Sequence, residues 1–170
     1  MENEPAVENL RVALLRDRNR DGGWGYLRSK ESRLEPTALA MLAFAAAGAE
    51  VSADVLPGSM TLLARWQRAD GLLACGGSTE PNLAFNGQAA LAISAATTLG
   101  LVPDSGGPSL ARLLRAILGV RGSRLPLWAQ LTEWLAPSRK VAAQNNELTA
   151  WPWTAGTFSW VEPTAGAPWL

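Results

Sequence analysis

Four consecutive residues occur twice in this chain: Glu35-Pro36-Thr37-Ala38 returns letter for letter as Glu162-Pro163-Thr164-Ala165. Internal repetition restricts a fold more than composition does, because each unit buries its apolar face against its neighbour and not within itself. Upstream of the first copy lies Asp21-Gly22-Gly23-Trp24-Gly25-Tyr26, and upstream of the second lies Glu147-Leu148-Thr149-Ala150-Trp151-Pro152-Trp153, each ending in aromatics. A degraded middle copy fits between them. Its loop begins at Gln67-Arg68-Ala69-Asp70-Gly71, and Gly87-Gln88-Ala89-Ala90 is set against Glu35-Pro36-Thr37-Ala38, so that Gly100 falls on Gly48. The expected units are repeat 1 at about 5–48, repeat 2 at about 57–100, and an incomplete repeat 3 at about 108–170, in a single domain.

Between these marks the chain reads as two kinds of helix. From Pro36 to Ala47, and from Ala89 to Leu99, apolar residues fall at nearly every angle, as expected of helices buried on all sides. Elsewhere one face is apolar. At 100° per residue Met60, Leu62, Leu63 and Trp66 oppose Arg65 and Arg68, and Leu110, Leu113, Leu114 and Ile117 oppose Arg112 and Arg115. The stretch around Val7, Leu10 and Leu14 reads as a further amphipathic helix, so outer and inner helices alternate. Pro36 and Pro163 suit the first helical position, and Gly48 and Gly100 suit the left-handed residue that stops a helix. No stretch alternates with the period of a strand, and the expected class is all-α.

Composition removes several functions. The 15 basic and 15 acidic side chains cancel, leaving no basic field to recruit nucleic acid or anionic lipid. The chain has no His and only Cys75, which excludes a His base or triad and a Cys/His zinc site, and the expectation is no cofactor. Cys75 stands beside Gly76 and Gly77 without a nearby base and reads as an inert small apolar residue. The uncharged stretch 81–103 is interrupted by Asn82, Asn86, Gln88, Thr97 and Thr98; a membrane span needs ~20 predominantly apolar residues, so it reads as soluble helix plus loop. The acidic start Met1-Glu2-Asn3-Glu4 lacks the basic opening of an export signal, and the expected location is cytoplasmic.

The repeat loops resemble those of the α/α-toroid proteins of the terpene cyclase and prenyltransferase superfamily. In those proteins Gln and Trp occupy Asp-Gly-rich loops between helices. The matching residues are Asp21-Gly22-Gly23-Trp24-Gly25-Tyr26; Gln67 with Asp70-Gly71; and Gln144 followed by Trp151-Pro152-Trp153-Thr154 and Phe158-Ser159-Trp160-Val161-Glu162-Pro163-Thr164-Ala165. The last block looks most like the repeats of bacterial squalene-cyclase-like proteins. The resemblance implies two concentric layers of helices around a cavity that holds an isoprenoid. This chain supplies two helix pairs and begins a third, about half a toroid.

The family's catalytic signatures have no counterparts here. The aspartates, at 17, 21, 54, 70 and 104, never form Asp-x-Asp-Asp; no zinc ligand set exists; and the thioester motif Cys-Gly-Glu-Gln is replaced by Cys75-Gly76-Gly77-Ser78. Glu162 is the one weak candidate for a catalytic acid. Yet Glu35 and Glu162 each precede a proline at a helix start, where a carboxylate can instead accept free backbone N–H groups. Asp21 and Asp70, each before Gly, read as turn residues. Seven of the eight tryptophans divide by position. Trp66, Trp128 and Trp134 lie in helical segments and read as core or helix-contact residues, whereas Trp24, Trp151, Trp153 and Trp160 lie in loops that the resemblance implies are stacked between helices. Trp151, Trp153 and Phe158 are the candidates for lining an apolar ligand site. Arg112, Arg115, Arg121 and Arg124 read as a solvated face, with phosphate binding as the alternative.

Three functions compete on these grounds. The favoured expectation is a non-catalytic repeat module that binds an isoprenoid, a lipid or a protein partner through its concave face. The others are a cyclase-like or prenyltransferase-like enzyme completed by another chain, and a truncated product whose open edge needs self-association or a partner.

Overall fold

The computed structural model describes residues 4–75, 80–103, 106–123, 134–135, 150–154 and 156–157. Over these residues the protein is all-α, with six helical segments: α1 Glu4–Asp17, α2 Leu34–Ala46, α3 Ala49–Ser52, α4 Leu56–Trp66, α5 Leu83–Thr98 and α6 Leu110–Gly119. Among the described residues there is no strand; Gln67 and Leu73 form an isolated antiparallel bridge. No helix among them is long and apolar enough to cross a membrane.

Helices α2 and α5 pack side by side as the centre of the fold, with α4 against α2 and α6 against α5. The amphipathic phases place the outer helices as their sequences demand: Met60, Leu62 and Leu63 of α4 and Leu113 and Ile117 of α6 are buried, while Arg65, Arg112 and Arg115 stay exposed. From α2 and α5 the core receives Leu34, Met41, Phe44, Leu83 and Ile93, with alanines at Ala38, Ala40, Ala89, Ala92 and Ala96 that let the two helices approach closely.

Helix ends follow local chemistry. Asn82 and Ser109 cap α5 and α6 by accepting the amides of Phe85 and Arg112. Gly100 (φ +71°) closes α5 in a Schellman arrangement, its own amide reaching Thr97 O and that of Leu101 reaching Ala96 O. At the end of α2, Gly48 (φ +97°) turns the chain and the buried Ser52 hydroxyl lies 2.6 Å from Phe44 O, replacing the second backbone bond.

Four expectations are corrected here. Helix α2 begins two residues before Pro36, with Leu34 in its first turn, so Pro36 is the third helical residue. Neither α2 nor α5 is buried on every side: Leu39, Ala43 and Ala46 of α2 are exposed, and Leu91 and Ala95 of α5 are half-buried. In α1, Val7 and Leu10 are 57% and 66% exposed, and only Leu14 reaches the core, so that helix has an apolar stripe without a covering layer. Trp134 is 77% exposed and is no core residue, whereas Trp66 packs against the core. Trp128, Arg124 and Pro163 lie outside the described residues.

Candidate functional site

The two Asp-Gly loops are one device used twice. In the first, Asp21 Oδ1 accepts the amide of Gly23 at 3.0 Å; in the second, Asp70 Oδ1 accepts that of Leu72 at 3.0 Å. These are turns in which the side chain bonds the backbone two residues on, leaving the next residue at positive φ: Gly22 at +97° and Gly71 at +95°. The backbone rungs match as well, Asn19 with Gly23 and Arg68 with Leu72.

The same register of forty-nine residues continues into the helices, where dissimilar side chains do the same work. Thr37 Oγ1 accepts the Trp24 amide at 3.0 Å and lies 3.3 Å from Trp24 O; Asn86 Oδ1 accepts the Leu73 amide at 2.7 Å and its Nδ2 donates to Leu73 O at 3.0 Å. Both side chains are fully buried in the first turns of α2 and α5. At the loop's other end Arg18 donates to Val55 O, at the start of α4, and Gln67 exchanges two hydrogen bonds with Ser109, at the start of α6. The alignment of Gly87 with Glu35 is therefore corrected by three residues. Helix α5 is 16 residues long against 13 for α2, and the extra turn hides the register from its far end.

Indole N–H groups tie loops to outer helices. Trp24 Nε1 donates to Leu14 O at 2.8 Å in α1, with its ring against Phe44 at 6.0 Å and the Arg18 guanidinium over it at 5.8 Å. Trp151 Nε1 donates to Ile117 O at 3.0 Å in α6, with Arg121 over its ring at 5.1 Å. Trp153 sits edge-on to Phe85 at 6.1 Å, and its carbonyl accepts the Leu83 amide at the start of α5. Trp151 and Trp153 are thus brought against different helices, in contacts that fasten the loop. Gln144, Phe158, Trp160 and Glu162 lie outside the described residues.

Glu35 is not a cap. Its Oε2 accepts the Tyr26 hydroxyl at 2.6 Å, and no side chain caps α2. This bond is the main cause that pushes the Tyr26 hydroxyl from 10.0 up to about 12, because ionisation would set a phenolate beside a carboxylate. A raised tyrosine value stabilises the folded chain fully below pH 10.0, and that contribution is lost as pH rises through about 12. Tyr26 is the only tyrosine, so phenolate absorbance reads it alone. The expected titration midpoint is near 12, falling toward 10.0 in Glu35→Gln; an ordinary midpoint in the unmodified protein would contradict the pair.

Two apolar surfaces remain open. One is the side of α2 and α5 on which Leu39, Leu42 and Ala46 stand at positions equivalent to Gln88, Leu91 and Ala95. Helix α5 carries no charged residue and α2 only Glu35. The other is a cleft of about 360 Å³ between α1 and α2, walled by Leu14, Trp24, Tyr26, Leu27, Leu39 and Ala43, with the Asp17–Arg28 ion pair at its rim. A separate polar depression of about 570 Å³ over the first loop is lined by Asn19, Asp21 and Ser32. Those three side chains are bonded to one another. Among the described residues no cluster of three or more His, Cys, Asp or Glu could hold a metal ion. Arg112 donates to Arg68 O and Ala69 O, and Arg121 to Leu118 O and Val120 O, so two of the four arginines considered for phosphate engage backbone carbonyls. Comparison with protein-family models, with curated proteins and with solved structures returns no match.

Reading from the sequence missed Thr37, Asn86, Arg18 and the Tyr26–Glu35 pair. The spacing of the two Asp-Gly steps, carried forward unchanged, leads from Thr37 to Asn86 and was the available signal.

Proposed function

We propose that the protein is a non-catalytic helical repeat module, akin to the terpene cyclase and prenyltransferase toroids, that holds an isoprenoid or similar lipid against the inner side of α2 and α5. The observation that carries this reading is the open face itself: Leu39, Leu42, Ala46, Leu91 and Ala95 stay partly or largely uncovered on two helices that contain one charged residue between them. Uncovered contiguous apolar surface marks a binding site in a folded protein. The repeated loops and their buried polar clamps support it, because each anchors the first turn of its helix to the preceding loop in the same way.

Equilibrium partition of labelled farnesol into the full-length protein tests the reading. Saturable binding is expected, weakened about tenfold by Leu91→Asp, since completing the burial of a half-buried leucine against an apolar ligand contributes about 1–1.5 kcal/mol that a carboxylate forfeits. Absence of saturable uptake, or uptake unchanged by Leu91→Asp in a variant of normal helix content, would contradict it.

A further inference from the structure

The internal repeat says what belongs in the cleft between α1 and α2. Its counterpart one repeat later is the groove between α4 and α5, and there Leu56, Ser59, Leu63, Ala92 and Ala96 are all buried. Helix α2 lies against both walls of that groove. The residues forty-nine positions earlier are Val7, Leu10, Leu14, Ala43 and Ala47, of which all but Leu14 are exposed. The same groove is therefore built twice and filled once, and the filler is an apolar helix rich in alanine.

We propose that the groove between α1 and α2 is a docking surface for a second copy of this chain, in a two-fold dimer in which α2 of each copy lies in the groove of the other. Helix α2 is suited to both parts. Met41 and Phe44 are buried on its core side, and Leu39 and Ala43 of its free stripe form one wall of the groove. Two such stripes are self-complementary, as a two-fold contact requires. Charge agrees. Asp17 pairs with Arg28, and Glu8 with Arg11, so these four charges beside the groove are already matched within one copy. A net charge of zero puts no general repulsion between copies. Burial of Val7, Leu10 and Leu39 would also remove the exposed apolar residues that surround the groove. The groove shares Leu39 of α2 with the proposed isoprenoid site, so a second copy and a lipid would compete for that helix, and the test is therefore made without lipid.

Sedimentation equilibrium of the full chain, with no lipid added, tests the proposal over a hundred-fold range of concentration. The expected result is a reversible shift from 18.0 kDa to twice that mass. Leu10→Glu and Ala43→Arg, at exposed positions that leave the folded monomer undisturbed, are each expected to weaken association about a hundredfold, since each acts twice in the symmetric contact. Leu118→Glu, at a position also exposed but on α6, is expected to change nothing. A single species at 18.0 kDa throughout would overturn the proposal, as would a dimer that Leu10→Glu and Ala43→Arg leave intact while circular dichroism shows both variants folded. Failure of farnesol to bind would leave this result untouched, and a monomer that binds farnesol would overturn only the dimer.

Discussion

Asn86→Ala is expected to destabilise the fold by about 2–4 kcal/mol, a large part of the roughly 5–15 kcal/mol that holds a domain of this size together. The substitution removes three hydrogen bonds at once, to Leu73 N at 2.7 Å, Leu73 O at 3.0 Å and Asn82 O at 2.8 Å. Asn86 is fully buried and so is Leu73, so no water takes the place of the amide. A buried N–H left without a partner forfeits its solvation energy in full, whereas an exposed one merely exchanges protein for water. Asn86→Asp discriminates further. A carboxylate can still accept from Leu73 N but cannot donate to Leu73 O, and it places an unpaired charge in the core, so it is expected to be no better tolerated than alanine. Urea unfolding followed by tryptophan fluorescence measures both. A loss below about 1 kcal/mol for Asn86→Ala would mean that the clamp on the second loop contributes little to the fold.

The second large effect is expected at Gly22. A side chain there meets two obstacles. The backbone is held at φ +97°, which an L-residue adopts at a penalty of about 1–2 kcal/mol, and the added Cβ would stand 2.8 Å from the backbone carbon and oxygen of Gly58 in α4. Neither neighbour is a flexible side chain that can swing aside, so α4 or the loop has to shift. Gly22→Ala is expected to cost about 2–4 kcal/mol. Gly71→Ala is expected to behave alike, because its Cβ would meet Arg112 O at 2.7 Å in α6 and its φ is +95°. Gly100→Ala separates the two terms. It has φ +71° but nothing within 4 Å, so it keeps the conformational penalty of about 1–2 kcal/mol and loses the clash. Equal effects at Gly22 and Gly100 would show that the loop does not press on α4 as described.

The sequence announced more of the fold than of the site. Periodicity located α4 and α6 because an outer helix has one wet side and one dry side, and residues such as Met60 and Arg65 report which is which. The Asp-Gly pairs marked both loops, since few other dipeptides combine a carboxylate that bonds its own backbone with a residue free to take positive φ. The clamps were illegible for a chemical reason. A buried loop amide and carbonyl can be met by a hydroxyl or by a carboxamide, so Thr37 and Asn86 are interchangeable in role and unlike as letters. The same holds for Arg18 and Gln67, which reach the start of the next outer helix with different groups. The burial of α1 was misread because amphipathicity states which face is apolar and not whether anything covers it; Val7 and Leu10 have the right phase and no covering layer. In Glu35-Pro36-Thr37-Ala38, whose second copy lies outside the described residues, the residue that binds the loop is Thr37, and Glu35 spends its carboxylate on Tyr26.

The two described units share one loop design, each loop held by one buried polar side chain from the helix that follows it. Urea unfolding of Thr37→Val tests it most directly, because valine keeps the shape of threonine and removes only the hydroxyl that receives the Trp24 amide at 3.0 Å. The loop carbonyl of Trp24 keeps its bond from the Arg33 amide at 2.8 Å, so the expected loss is confined to one buried N–H, about 1–3 kcal/mol, with the slope of unfolding unchanged. Thr37→Val with stability within a few tenths of a kcal/mol of the unmodified protein would contradict the claim.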